Sequence, residues 1–485
     1  MIAKRMLLCG GLVTALAACQ THRTEIVRPP QPSLAAQSAP QSLPPLIDDL
    51  EHRSFNYFWE LGNPNNGLVP DRWPSKSFSS IAAVGFGLTA YGVGVERGWI
   101  RRDQASERTL ATLRFFANAP QGAAAEGMTG YKGFFYHFIK MDTGARDAKC
   151  ELSTVDTTLL LGGILFAQSY FDRDNAAERE IRALAETIYQ RVEWDWAQTR
   201  APRIAMGWSP ETGMHGYDWN GYNEAMLVYI LALGSPTHPV AEDAYQAWTS
   251  TYDKTWGNFQ GQEHLSFPPL FGHQYSQIWL DLRGVQDDYM RGRGINYFEN
   301  SRRAVYAQRA YAIANPQHWD GYGRDVWGLT ASDGPIDATY LFKGAPRLYR
   351  TYSARGAGIE YVIDDGTIAP TAASASLPFA PEIVVPAMIE MHARYGQYIY
   401  RKYGFIDAFN PSFNYQVTLT QGKVVAGMGW VDDDYLGIDQ GPIVLMIENY
   451  RSDFVWKVMR GNAHIRRGLE RAGFTGGWLD KPAAH

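Results

Sequence analysis

Three cysteines in 485 residues are too few for a fold stapled by disulfides. Their positions sharpen the point. Cys9 lies in an apolar N-terminal stretch, Cys19 ends a Leu16-Ala17-Ala18-Cys19 run, and Cys150 stands alone. No intrachain disulfide is expected, so a body of about 440 residues must hold itself together by burial, which a chain of that size can do. Excess charge of one sign is also missing. Forty-five basic against fifty acidic residues give a net charge of −5 with no basic stripe, which argues against nucleic acid as a partner. No apolar run is long enough to span a bilayer as a helix. The eleven histidines form no His-Glu-x-x-His pair. There is no Gly-x-Ser-x-Gly elbow, no Walker loop and no fixed-period repeat of a solenoid. Asp432, Asp433, Asp434 and Asp439 could ligate calcium, but they do not follow the twelve-residue loop pattern. Neither a metal nor another cofactor is expected.

The N-terminus has the pattern of a bacterial lipoprotein. Lys4 and Arg5 precede the apolar stretch Met6 to Ala18, and small residues lead into Cys19. This predicts a signal peptide over 1–18 and a lipidated Cys19, held by acyl burial and not by a spanning helix. Gln20 in place of an aspartate favours the outer membrane, facing the periplasm or the cell surface. Residues 19–44 are rich in Pro, Gln, Ser and Ala and read as a tether. The folded body is expected over 45–476, with a short tail over 477–485, and as a monomer.

The body reads as helix after helix. Apolar spacing predicts helices over 46–61, 79–96, 102–118, 153–171, 178–196, 220–233 and 240–252, with more near 302–315, 379–403, 436–450 and 462–472. Segments apolar all round (79–96, 153–171, 220–233) alternate with amphipathic ones (102–118, 178–196, 240–252). A double ring of helices requires that alternation, because inner helices touch neighbours on every side and outer ones keep a wet face. Close to twelve helices fit six hairpins. The expected fold class is therefore all-α, an (α/α)6 barrel. Long loops at 62–77, 119–150, 199–219, 256–275 and 314–341 exceed ordinary connections and mark the functional end. Segments 364–371 and 415–428 look strand- or loop-like.

Three acidic motifs stand at the heads of apolar segments. In Glu151-Leu-Ser-Thr-Val-Asp156, helix capping accounts for Glu151 but not for Asp156 inside an apolar run. In Asp218-Trp-Asn-Gly-Tyr-Asn-Glu224, a lone acid leads a greasy helix behind Trp219, Tyr222 and Asn223; dipole capping is the alternative. In Asp432-Asp-Asp-Tyr-Leu-Gly-Ile-Asp439, Asp439 is best placed to face a cleft, and a solvated turn is the alternative. Partial burial at a helix end raises a carboxyl pKa and suits it to proton transfer. Paired carboxyl groups of this kind are what glycoside hydrolysis needs. Asp71, Arg72, Trp73, Tyr136, His137, Trp208, His273, Gln274, Tyr275 and Trp327 are loop-side residues suited to hydroxyl binding or ring stacking. With 15 tryptophans and 28 tyrosines the chain has many such platforms, although each alone is more often structural. A non-catalytic glycan-binding lipoprotein would show the aromatics without the acids.

Eight ordered motifs resemble the bacterial glycoamylase-like domain, which includes the endo-β-1,2-glucanases of glycoside hydrolase family 144. They are Phe55–Trp59, Gly67–Trp73, Ser80–Gly87, Glu151–Asp156, Tyr222–Glu224, Phe271–Tyr275, Trp327–Gly334 and Gly437–Pro442. The resemblance covers residues 47 to 474. It implies an (α/α)6 barrel and metal-free, inverting cleavage of linear β-1,2-glucan to sophoro-oligosaccharides. Glu224 matches the family's essential acid. Asp156, Glu151 and Asp439, in that order, are the candidates for the base. Exo-acting or transglycosylating enzymes share the same barrel.

Overall fold

The computed structural model describes residues 43–481. The signal peptide, Cys19, all but the end of the tether and the last four residues lie outside the described residues. Pro44 and Pro45 open the first helix, a position where proline's missing N–H costs nothing.

The chain forms fifteen α-helices among the described residues: α1 (Pro45–Leu61), α2 (Ile81–Glu96), α3 (Arg102–Asn118), α4 (Thr154–Tyr170), α5 (Ala176–Gln190), α6 (Met226–Gly234), α7 (Asp243–Thr249), α8 (Phe271–Trp279), α9 (Asp288–Arg293), α10 (Tyr297–Ala314), α11 (Pro370–Ser374), α12 (Pro381–Ile399), α13 (Gly437–Ser452), α14 (Phe454–Met459) and α15 (Ala463–Arg471). Every residue of α6 and α11 is buried, and so are nearly all of α2, α4 and α13. In contrast α5 buries only Glu178, Ile181, Ala185, Ile188 and Tyr189, along one face.

Helices α2 and α4 share the most extensive helix contact among the described residues, and glycine permits their close approach. A Cβ on Gly85 would stand 2.2 Å from the Leu159 carbonyl oxygen, and one on Gly163 would stand 2.0 Å from that of Gly85. The backbones touch where side chains would otherwise hold them apart. α13 packs on α1, α2, α8 and α11, while α4 also meets α6 and α8. One large apolar core runs from Ile47 to Leu479. Trp478 donates to the Asp281 carbonyl at 2.7 Å, so the segment beyond 476 packs on the body as far as Lys481.

The fold is not purely helical. Short strands line the loops, and the largest sheet has five: Gly130–Tyr131, Phe134–Tyr136, Leu152–Ser153, Gly207–Ser209 and Gly213–Met214. Sequence periodicity misses them because most are two or three residues long, shorter than the window in which alternation can be read. The expected 178–196 helix ends at Gln190, and the 220–233 helix begins only at Met226. Gly221 at φ +73° sits in the turn ahead of it.

Candidate active site

Sequence-distant segments meet at one cavity of about 430 Å³, lined by Asp71, Arg72, Phe78, Ser80, His137, Phe138, Val155, Asp156, Leu159, Glu224, Phe271, Tyr275, Tyr352, Leu436 and Ile438. The five-stranded sheet supplies the first side. Tyr136 pairs with Leu152 and Phe135 with Ser153, and the His137 N–H donates to the Glu151 carbonyl at 2.9 Å. His137 therefore stands opposite Glu151. The strand Leu152–Ser153 runs straight into α4, whose N-cap is Ser153. Asp156 follows one turn later. The Ser153 hydroxyl donates to Asp156 Oδ2 at 2.5 Å and accepts from the Asp156 N–H at 3.1 Å.

His137 bridges the two acids of this motif. Its Nδ1 lies 2.9 Å from Glu151 Oε1 and its Nε2 3.5 Å from Asp156 Oδ1. Burial works against the imidazolium, but Asp156, Glu151 and Asp71 outweigh it and lift the ring to about 9. It is a cation at neutral pH. Burial opposes ionisation of Glu151 too, yet the His137 hydrogen bond holds it below the usual glutamate range. Glu151 does not line the cavity and meets it only through its contact with His137.

Glu224 arrives from the other side, in the turn just ahead of α6. Ser276 of α8 pins its backbone, donating to the Glu224 carbonyl at 2.8 Å and accepting from the Leu227 N–H at 3.1 Å. Glu224 Oε2 is buried with no hydrogen-bond partner among the described residues. Burial pushes its carboxyl up to about 7; a backbone hydrogen bond opposes the rise and the Asp156 charge adds to it. An acid kept protonated near neutrality faces a second carboxylate across a cavity, which is the division of labour a glycosidase requires.

The third side is the antiparallel pairing of Arg72 with Leu436 and Trp73 with Tyr435. It brings Asp71 and Arg72 beside the head of α13, where the Gly437 N–H donates to the Asp71 carbonyl at 2.8 Å. Asp71 is buried and raised above the usual aspartate range by desolvation, with Arg72 opposing. Tyr275 closes the wall by donating to the Ile438 carbonyl at 3.1 Å.

Of the residues singled out in the sequence, Asp71, Arg72, His137, Asp156, Glu224 and Tyr275 line the cavity. The others do not, and packing explains each. Asp439 is buried behind the wall and pushed to about 8, by desolvation first, with Asp333, Asp432 and Asp71 adding. Tyr136 is fully buried under the Arg146 guanidinium. Trp73 packs edge-on against Tyr403, and Trp208 packs against Tyr131 and Trp196. Trp219 donates to Thr154 Oγ1 at 2.9 Å, fastening the segment before α6 to the head of α4. Tyr222 stacks on Tyr297, and Asn223 Oδ1 accepts from the Ala225 N–H at 3.0 Å. His273 is buried and driven down to about 3 by desolvation, so it is neutral. Gln274 ties α8 to α11 through the Ala372 carbonyl and Ser376 hydroxyl. Trp327 is buried core. Phe271, which heads the Phe271–Tyr275 run, also lines the cavity, and so do Phe78, Ser80 and Tyr352, which the sequence does not single out. Apolar and hydroxyl residues carry no chemical signature of their own, although Ser80 and Phe271 fall inside two of the recognised motifs.

Residues 216–463 match the sequence model of the "Putative glucoamylase" (Glycoamylase) family, and the chain belongs to that family. A protein of the same description from Bacteroides uniformis is 31% identical and superposes with a TM-score of 0.75, over 90% of this chain and 98% of that one. The endo-β-1,2-glucanase of Chitinophaga pinensis, solved with sophorotriose and glucose, is 29% identical with a TM-score of 0.74, over 89% and 98%. The exo β-1,2-glucooligosaccharide sophorohydrolase of Parabacteroides distasonis is 29% identical over 468 residues. That match covers 90% of this chain and 59% of the relative, so the chain spans about six tenths of that protein's length.

Proposed function

We propose that the protein is a glycoside hydrolase of β-1,2-glucan in which Glu224 is the general acid and Asp156 the base. The observation that carries the assignment is the contrast between the two groups. Glu224 is half-buried, its Oε2 is buried and unpartnered among the described residues, and its carboxyl is held near pH 7. Asp156 is fixed by Ser153 and by the cationic His137. The acid protonates the glycosidic oxygen as the bond to the anomeric carbon breaks. The base takes a proton from the water that attacks the opposite face, which inverts the anomer. Arg72 offers donors to sugar hydroxyls, Tyr275, whose proton goes to the Ile438 carbonyl, offers an acceptor, and Phe78, Phe138 and Phe271 offer apolar faces to sugar rings.

The helices fit an (α/α)6 barrel with α2, α4, α6, α8, α11 and α13 inside. Their all-round burial and their packing on one another support that arrangement. The first reading of cleavage mode is endo, supported by the match to nearly the whole of the C. pinensis enzyme. The second is exo release of sophorose, supported by the P. distasonis relative. Lipid attachment at Cys19 would hold the enzyme at the outer membrane as a monomer; metabolic labelling with a fatty acid, lost in C19A, tests the anchor.

The experiment is incubation of purified protein with linear β-1,2-, β-1,3- and α-1,4-glucans, read by thin-layer chromatography. A ladder of sophoro-oligosaccharides from the β-1,2 polymer alone supports the endo reading. Sophorose alone from the first minutes supports the exo reading. No release from the β-1,2 polymer contradicts both.

A further inference from the structure

Behind the Arg72 wall lies a second group of acids that the hydrolytic chemistry does not use. Asp333 follows the strand Ala331–Ser332, Asp407 lies between the strands Gly404–Phe405 and Phe409–Asn410, and Asp432 follows Gly429–Val431. The three come from distant parts of the chain, yet each offers a carboxylate oxygen and these oxygens lie within 4.8 Å of one another. Asp407 and Asp432 are 0% exposed and Asp333 is 4% exposed. Asp434 and Asp439, also buried, flank them.

The backbone is folded tightly around the group. The Asp333 N–H donates to Asp407 Oδ2 at 2.6 Å, and the Asp433 and Asp434 N–H groups converge on Asp432 Oδ1 at 2.6 and 3.3 Å. Among the described residues that leaves Asp432 Oδ2 buried without a hydrogen-bond partner, and Asp407 Oδ1 with no donor but the acidic Asp439 side chain against it. An unpartnered buried carboxylate oxygen is costly. Two such oxygens in one cluster call for a counter-charge between them.

The protein's own cations do not answer the charge. Arg72 serves Asp333 at 2.7 Å but also Asp71 at 3.2 Å and Asp434 at 3.7 Å. The Arg355 guanidinium is engaged by Asp365 at 2.8 Å through two nitrogens, and reaches only the Asp333 carbonyl. Lys423 and Arg401 pair with Asp433 on the outside. Among the described residues, one shared guanidinium and the neutral Gln421 amide, which donates to Asp333 at 2.6 Å and Asp434 at 3.1 Å, thus face five buried aspartates.

We infer that Asp333, Asp407 and Asp432 form a binding site for a hard divalent cation, calcium, which braces the cavity wall carrying Arg72. The spacing suits it. Two oxygens on opposite sides of a calcium ion at 2.3–2.6 Å are roughly 4.6–5.2 Å apart, so ligand atoms within 4.8 Å of one another can share one ion. Calcium is favoured over magnesium because it accepts several carboxylates in irregular geometry, whereas magnesium keeps an octahedral water shell. Sequence spacing could not show the site, because only Asp432 of the three belongs to the acidic run 432–434.

The test uses the purified protein, stripped with EDTA and dialysed. Elemental analysis after re-equilibration with calcium should give one ion per chain. Calcium should raise the melting temperature by about 5 °C or more. Terbium added to the stripped protein should show luminescence sensitised by Trp430, two residues from Asp432, and calcium should quench it by competition. D432N should abolish the terbium signal, and D433N, on the outside, should keep it. If D432N does not fold, the three wild-type measurements decide. No bound ion, no thermal shift and no terbium luminescence would overturn the inference, and a response to magnesium alone would overturn the assignment to calcium. None of these readouts depends on sugar release, so failure of the hydrolase reading is seen separately.

Discussion

His137 Nε2 lies 3.5 Å from Asp156 Oδ1, and the same ring is fixed on its far side by Glu151 at 2.9 Å. The imidazole is an internal counter-ion that orients the proposed base from outside the reacting atoms. His137→Gln keeps a donor but removes the charge. It should lower kcat by about 10- to 100-fold with little change in KM, because a positioning group acts mainly on the step it positions. Steady-state kinetics on β-1,2-glucan with both enzymes checks this; an unchanged kcat contradicts the role.

The same pair sets a pH dependence of stability. The folded-state value of His137, about 9, stands above its ordinary 6.5. Its contribution is complete below 6.5 and is lost as pH rises through 9. Thermal melts from pH 6 to 10 should show wild type losing stability over that window more steeply than His137→Gln. Parallel curves would show that the ring carries no such charge.

Glu224 gives the activity its alkaline limb. A general acid must be protonated, and this one is held at about 7. The pH profile of kcat/KM should fall above about pH 7, with an apparent pKa well above the glutamate range. Its raised value also means that folding favours the neutral form, so its contribution to stability declines as pH rises from 4.5 through 7. A flat profile to pH 9 would remove Glu224 as the acid.

Two residues test the scaffold. Gly85→Ala puts a methyl group 2.2 Å from a backbone oxygen of α4, where neither side can give way, and should cost about 3 kcal/mol. Arg355→Ala strands Asp365, which is 1% exposed and held by two nitrogens of that guanidinium. Leaving one buried partner unpaired should cost about 3–5 kcal/mol. Urea unfolding measures both.

The long helices that position the site were legible in the sequence, whereas the fully buried α11 (Pro370–Ser374) falls at the end of the segment 364–371 that looks strand- or loop-like, because five residues are too few to show a helical period. α3 was read to the residue, and α2 and α4 to within two. α8 was missed because its nine residues mix buried glutamines, a histidine and aromatics with few aliphatics. The strands were missed because they are short, yet they do the decisive positioning: the register of Tyr136 with Leu152 is what sets His137 against Glu151. Glu224 and Asp156 were found because an acid amid apolar residues is conspicuous. Asp333 and Asp407 were not found, because each stands alone in its own loop and only the fold gathers them.

The stereochemistry is open to direct view. Inversion of a β-linkage should release the α-anomer first, visible by proton NMR within the first minutes before mutarotation. A β-anomer appearing first would mean a covalent intermediate and a nucleophile in place of a base.

The most direct test of the account is the rate of reducing-end release from linear β-1,2-glucan by wild type and Glu224→Gln, with melting curves run on both. The account predicts a loss of at least about 10³-fold, within the range for removing a general acid, and an unchanged or higher melting temperature at pH 8, because the amide cannot ionise in its buried place. Activity within tenfold of wild type would contradict it.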